Sequence, residues 1–570
     1  MRRHTLAQHG QALVASYMLV LVLTILGGTL LNTAKGASQH STVQRLDSQT
    51  ILLAQGALED AVRQFTSDIA NYAVSATATC YPDTNLDAVC NPNTATQTDV
   101  LVTTFCTSDS AACPNSPYPA GSNPRAFAWA VQAEPTERTI TDPDGTIVLV
   151  KNYQITAQAT HPQNAGYTVT LNQVVARRLI TAFQHAVFYE HDLEALPGAN
   201  MTLTGRVHSN ADMYLDCYGT NTLTLNTEYV RSAGSIYNKR KDTGVADSGE
   251  VVIKQAGTSN FPGMNNLDSP DATWTAESQS RWSGTVKSSV HGVTKRTVPS
   301  VGSIQPGGYF DQNANVKIVN GILYKNGVVL VEGVDIPVGT VITSTTLYDN
   351  REGKYAKTTD IDMRKLAGYA ATDTTTPSFT NQLPSNGLMY ATRNDAGSTY
   401  VPAIRLTNGT EIHRSGGLTI VSNDPVYVKG DYNTTSKKPT SVICDSMNIL
   451  SNAWTDAGSS GALSGRVASN TTVNTAFIAG VKSTVGTTYS GGLENYPRLQ
   501  EKWTSKTLTI RGAFIELWNS SIATGNWQAT GVYYNAPVRN WDYDTDFLTG
   551  AMPPFTPWAV EVDRGAWWKQ

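Results

Sequence analysis

The sequence predicts an α+β protein: one long N-terminal membrane-spanning helix, a meander of strands, and then a mostly-β domain. Three observations predict it. Arg2, Arg3 and His4 precede twenty almost wholly apolar residues from Ala12 to Leu31. Helix-forming sequence then continues in amphipathic form through Leu46, Ile51, Leu58, Val62 and Phe65. Past residue 125 come short β-branched and aromatic pieces separated by Gly, Pro, Asn and Asp. Only 15% of the chain is charged, a balance that favours strands joined by turns over helices.

At a rise of ~1.5 Å per residue the apolar run makes a helix about 30 Å long, enough to cross a bilayer core. A cleaved secretory signal has a shorter apolar region and a small-residue cleavage site after it. Here the run is longer and helical sequence follows directly, so a membrane anchor fits better. Its basic end is expected inside and the bulk of the chain outside. Segments at 126–133, 146–159 and 167–175 then alternate as strands, with Asp142-Pro-Asp-Gly145 and Pro162-Gln-Asn-Ala-Gly166 as turns.

Gly10-Gln11-Ala12-Leu13-Val14 and, further on, Ala54-Gln55-Gly56-Ala57-Leu58-Glu59-Asp60-Ala61 resemble the N-terminus of type IV pilin-like proteins. They are closest in kind to the minor-pilin-like pilus assembly proteins of the PilX type. The resemblance implies a leader cut after Gly10, so that Gln11 becomes the mature N-terminus. It also implies a helix that packs with other pilin-like subunits and carries a strand-rich head. Gln11 stands where pilins usually have a large apolar residue, and Ala15 where most carry a glutamate. Both departures point away from a major subunit and toward a minor or accessory one. The location implied is the bacterial inner membrane, single-pass with the C-terminal bulk on the periplasmic side, or incorporation into a surface filament.

At 570 residues the chain should form several domains. The expected division is 1–77 for leader and helix, 78–195 for a loop and strand region, 196–500 for a β-helix-like domain, and 501–570 for a Trp/Pro-rich cap. From about Leu196 strand-sized pieces recur at short intervals with long insertions between them. Stacked coils of that kind predict a parallel β-helix, with Leu203, Val207, Leu215, Leu223 and Leu225 as inward rungs. An irregular β-sandwich set is the alternative.

Six cysteines admit 15 pairings. Cys80 with Cys90 and Cys106 with Cys113 lie close in a Pro/Asn/Ser-rich loop, where local disulfides are expected in an oxidising envelope compartment. A four-cysteine metal site is the rival, although the separations do not match ribbon or finger spacing. Cys217 and Cys444 read as buried thiols. A net charge of −4 shows no basic surplus for nucleic acid.

No Gly-x-Ser-x-Gly elbow, Walker loop, His-Glu-x-x-His or dinucleotide-binding glycine pattern occurs, which removes the readily recognised hydrolases and nucleotide enzymes. Weaker catalytic candidates remain. Asp360 and Asp362 would share one strand face, as a glycosidase pair would require, or would bind Ca²⁺, or would pair with Arg351 and Arg364 as a structural network. An anchored polysaccharide-active enzyme is therefore the alternative function. His208, flanked by Arg206 and Asp212, has the make-up of an acid–base group; a hydrogen-bonded histidine in a tight turn is the plainer reading. Asp542-x-Asp544-x-Asp546 alternates carboxylates as a Ca²⁺ loop does, but Phe547 occupies the turn position and Pro553 that of the bidentate glutamate.

Motif-like stretches include Asp349-Asn-Arg351-Glu352-Gly and Ser490-Gly-Gly-Leu-Glu494-Asn495-Tyr-Pro-Arg498. Together with others between about residues 180 and 560 they look like an uncharacterised envelope domain that brings no established activity. Tyr489 and Arg498 have the content of a carbohydrate or protein contact. Seven of the eleven tryptophans fall after residue 500. Trp518 and Trp541 read as cap residues, and Trp567 and Trp568 as candidates for contact with a glycan or surface protein. An adhesin is thus a third reading, compatible with the first.

Overall fold

The computed structural model describes residues 5–74, 80–82, 125–134, 136–161, 164–370, 376–528 and 531–570. A long apolar helix leads into a mostly-β molecule. Helix α1 spans Thr5–Ala70 and divides into two halves of opposite character. From Leu13 to Leu31 its large apolar side chains stand clear of the rest of the protein. An eighteen-residue window there has a mean hydropathy of 2.2, long and apolar enough to cross a membrane. The second half is a packing helix. Ala54, Ala57, Leu58, Ala61, Val62 and Phe65 recur at three- and four-residue spacing and are all buried, which puts them on one face.

That face lies on an antiparallel sheet. Its strands are β1 (Cys80–Tyr81), β2 (Arg125–Gln132), β3 (Arg138–Thr141), β4 (Ile147–His161) and β5 (Asn164–Thr181). The order is β1-β2-β4-β5, with β3 against β4 and the C-terminal strand Trp558–Lys569 on the far side of β5. Alternate residues of the strands face the helix: Ala126, Ala128 and Ala130, then Ile155, Ala157 and Ala159, then Leu171 and Val175. Small alanines on both surfaces let the helix and sheet approach closely. The turn between β3 and β4 closes through Asp142, whose N–H donates to Thr146 O at 2.9 Å.

Beyond β5 most strands pair in parallel. Val187–Tyr189, Val207–Ser209, Val230–Ser232 and Val286–Lys287 form one ladder. Leu193–Ala195, Met213–Leu215 and Ile236–Tyr237 form a second. Met201–Thr204, Thr222–Asn226 and Glu250–Ile253 form a third. A later group repeats the arrangement. Val316–Val319 is followed in parallel by Leu388–Thr392, Leu418–Val421, Thr440–Cys444, Ala476–Ala479 and Phe514–Glu516. Phe514–Glu516 then pairs with Val187–Tyr189. The last rung of the later group thus lies on the first rung of the early one, and the two groups share one continuous core. Leu203, Val207, Leu215, Leu223 and Leu225 are all buried in it.

Parallel strands need crossover connections, and here strands of the other ladders lie within them: Leu193–Ala195 and Met201–Thr204 fall between Val187–Tyr189 and Val207–Ser209. Where the later group begins, the chain makes true hairpins instead. Asn320-Gly321 and Asn326-Gly327 each hold two successive residues at positive φ (54° and 86°, then 49° and 80°). That is the type I′ geometry that asparagine and glycine tolerate best. The apolar stretch from Val316 to Lys325 is therefore two strands, Val316–Val319 and Ile322–Lys325.

The C-terminal seventy residues contribute strands to three sheets. Thr507–Gly512 and Val538–Tyr543 are rungs in register with Thr471–Asn474. Trp558–Lys569 leaves the rungs altogether and pairs antiparallel with β5, Ala559 opposite Ile180 and Val560 opposite Leu179. Both ends of the rung-bearing region, residues 187–543, thus connect back to the sheet under α1.

Candidate functional site

The motif stretches at 349–353 and 490–498 converge on one small cavity. The first is shaped by Asp349, whose buried carboxylate accepts the N–H groups of Arg351 and Glu352 at 2.8 and 2.9 Å and the Tyr427 hydroxyl at 2.5 Å. These bonds use up the carboxylate and fix the turn, so the Arg351 and Glu352 side chains leave it in set directions. Arg351 donates from Nε to Gly525 O at 3.0 Å and from Nη2 to Ser490 O at 3.3 Å. Glu352 accepts the Gly525 N–H on both oxygens and pairs with Arg498 Nη2.

Arg498 begins the short rung strand Arg498–Leu499 and is only 6% exposed. Its Nε and Nη1 have no hydrogen-bond partner. Burial, together with the neighbouring Arg498 charge, pushes Arg351 down to about 9. Further along the second motif, Tyr489 donates to Glu494 at 2.6 Å and lies under the Arg240 guanidinium, 5.2 Å from the ring centre. Burial raises the Glu494 carboxyl above its usual range.

The cavity has a volume of about 30 Å³. Tyr189, Asp192 and Glu194 line it from the early rung group, and Ser446, Lys482 and Asn495 from the later one. Asp192 is already paired with Lys241 at 2.9 Å. Sequence reasoning singled out Arg498 and Tyr489 but not Asp192, Glu194 or Lys482. Nothing in their local sequence marks them, because only the stacking of the two groups brings them together.

The other candidates fall elsewhere. Asp360 and Asp362 sit on the strand Lys354–Asp362, but neither faces an open site. Asp360 is held by Arg405 (Nε at 2.9 Å), which also binds Asp456 at 2.6 Å. Asp362 caps the helical turn Met363–Leu366, accepting from Arg364 N and Lys365 N. The expected partners Arg351 and Arg364 are replaced by Arg405 and backbone. Asp544 and Asp546 both pair with Lys437, at 2.7 and 2.9 Å, while Asp542 accepts from Thr204. A lysine ammonium thus sits where a bound cation would be needed. Among the described residues no cluster of three or more His, Cys, Asp or Glu groups is arranged to hold a metal ion.

Trp567 and Trp568 are 47% and 44% exposed and pair with Gln173 and Asn172. Consecutive strand residues point to opposite faces, so the two indoles cannot form one contact surface. Trp518 is buried and donates to Cys444 O at 3.2 Å, and Trp541 is a rung residue packed on Phe514. Gly10 and Gln11 lie in the helical backbone of α1. Cys90, Cys106 and Cys113 lie outside the described residues, as does the Cys80 side chain. Cys217 and Cys444 are free, buried thiols.

His208 is 1% exposed, with its ring stacked on Phe188 at 5.1 Å, so no substrate reaches it. Arg296 N donates to Asn210 Oδ1 at 2.9 Å. The same oxygen accepts from His208 Nε2 at 3.1 Å, which fixes the neutral ring with its proton on Nε2. Arg296 Nη1 donates to His185 Nε2 at 2.7 Å, so that ring carries its proton on Nδ1. Burial, then the Arg296 charge, drives both imidazoles well below the ordinary histidine value. Both are therefore neutral when folded, whereas the unfolded chain takes up protons below a pH of about 6.5. Each should cost stability as pH falls through that value, by up to about 1.4 kcal/mol per pH unit, until its folded value is passed. Replacing His208 with Gln should narrow the difference in unfolding free energy between about pH 7.5 and about pH 5. Chemical denaturation at the two pH values would read this directly.

No family model matches this chain, and no curated protein matches it either. Among solved structures it is similar to the competence-associated pilin ComZ from Thermus thermophilus. The identity is 10% and the TM-score 0.21, over 91% of this chain and 97% of that one. A TM-score that low does not superpose the two folds.

Proposed function

We propose that this chain is a membrane-anchored, pilin-like structural or accessory component of a type IV pilus or related secretion filament. The observation that carries this is the divided helix α1. Its first half is bare and apolar, and its second half is bound tightly to its own sheet. A bare apolar helix in continuous register with a folded head can sit in a bilayer or pack beside copies of the same helix in a filament. The basic residues Arg2 and Arg3 favour a cytoplasmic N-terminus and a periplasmic C-terminal bulk. The Gly10-Gln11 junction is the proposed processing site, with cleavage freeing the helix for assembly.

The rung-bearing region is proposed to be a parallel β-helix with projecting insertions, and to serve as the outward interaction domain. Its parallel ladders and shared core support that reading. Full-length tagged protein should appear with sheared filaments from cells that make them. Complete retention in the inner membrane after shearing would contradict the filament assignment.

A further inference from the structure

We propose that the cavity between Arg498 and Arg351 binds an oxyanion, a carboxylate or phosphate group, supplied either as a free ion or as the acidic end of a larger ligand. This stands apart from the membrane and filament reading, and neither depends on the other.

Arg498 has unmet hydrogen-bonding capacity. Arg498 is 94% buried by difference from its 6% exposure, yet Nε and Nη1 make no bond. A guanidinium has five N–H donors and cannot shed its charge, so leaving two positions unmet in a buried site is costly. Its one side-chain partner, Glu352, is shared with the Gly525 N–H. Asp349 binds neither guanidinium, being taken up by two backbone N–H groups and Tyr427. Buried Arg498 and half-buried Arg351 therefore line one cavity in which Arg498 Nε and Nη1 still lack acceptors.

The shape decides the size of the occupant. A volume of about 30 Å³ corresponds to roughly two water positions. That accommodates a carboxylate or the oxygens of a phosphate, but no sugar ring. Lys482 stands at the wall, anchored to Thr524 O at 2.6 Å, and adds a third cation. Ser446 also lines the cavity and carries a hydroxyl that can donate. Asp192 and Glu194 also line the cavity, so a ligand larger than the acid group would meet acceptors there, suited to hydroxyl or ammonium groups.

The test is calorimetric titration of the full chain in detergent micelles with inorganic phosphate, acetate and glucuronate in separate arms. Saturable binding at one site is expected for at least one of them. Arg498→Lys should weaken it about tenfold through loss of the planar fork. Because Arg498 is buried and that variant can lose its fold, Lys482→Met serves as the second variant. It should weaken binding about threefold with an unchanged melting curve. Tighter binding of glucuronate than acetate would assign the larger-ligand source, and binding of phosphate alone the free ion. Absence of saturable heat in all three arms, or unchanged affinity in folded Arg498→Lys and Lys482→Met, would overturn the proposal and leave the cavity to water.

Discussion

Val560→Asp should destabilise the sheet under α1 by about 4 kcal/mol, the largest single effect expected in the molecule. Val560 is ten residues from the last residue of the chain, where substitutions are commonly harmless. Its surroundings say otherwise. It is 1% exposed and shares a core with Leu53, Phe65 and Leu179. It also exchanges both backbone hydrogen bonds with Thr297, at 2.9 and 2.7 Å. A carboxylate there would meet an apolar core with no cation to pair with. Hydrogen exchange should show lost protection in Asn164–Thr181 and Trp558–Lys569, with Leu418–Val421 retaining its own. Equal protection in all three strands would show that the C-terminal strand is not needed to close the sheet.

Arg296→Met should cost about 3 kcal/mol by opening the junction between that sheet and the rungs. The Arg296 guanidinium binds one group from each piece that meets there. Nε donates to Glu561 on the C-terminal strand at 2.6 Å, Nη1 to His185 on the entering segment at 2.7 Å, and Nη2 to Tyr229 on the rungs at 3.2 Å. Methionine fills a similar volume but leaves the buried His185 Nε2 without a donor and strips Glu561 of its closest cation. Only the longer 3.4 Å contact with Arg178 would remain for that carboxylate. A double-mutant cycle with Glu561→Gln, followed by chemical denaturation, should return a coupling of about 1–3 kcal/mol. Additive losses would show that the two residues act independently.

The helix and the strands on which it packs were legible in the sequence because their periods are long and regular. Ala54, Ala57, Leu58, Ala61, Val62 and Phe65 announce one helix face, and the alternation over 146–159 announces the strand observed at Ile147–His161. The expectation for 167–175 fell short of the observed Asn164–Thr181, since pairing on both sides extends a strand through residues of indifferent propensity such as Arg177 and Arg178. Asn320-Gly321 was a readable hairpin signal that the apolar residues on either side concealed.

The destination of the C-terminal strand was not readable. Trp558–Lys569 alternates like any strand, and only a contact nearly four hundred residues away in sequence decides which sheet it joins. The candidate site was legible in part for a similar reason. Arg351, Glu352 and Arg498 sit in conspicuous local motifs, whereas Asp192, Glu194 and Lys482 acquire their place from stacking. Asp360 and Asp362 illustrate the converse. Their spacing suggested paired chemistry, but Arg405 and a helix cap had already claimed them.

A processed, pilin-like subunit and a plain signal anchor differ at the N-terminus itself. Mass spectrometry of the N-terminal peptide from natively expressed protein should find a chain that begins at Gln11 with a methylated amine. A chain that retains Arg2, Arg3 and the residues through Gly10 would contradict the processed, pilin-like reading.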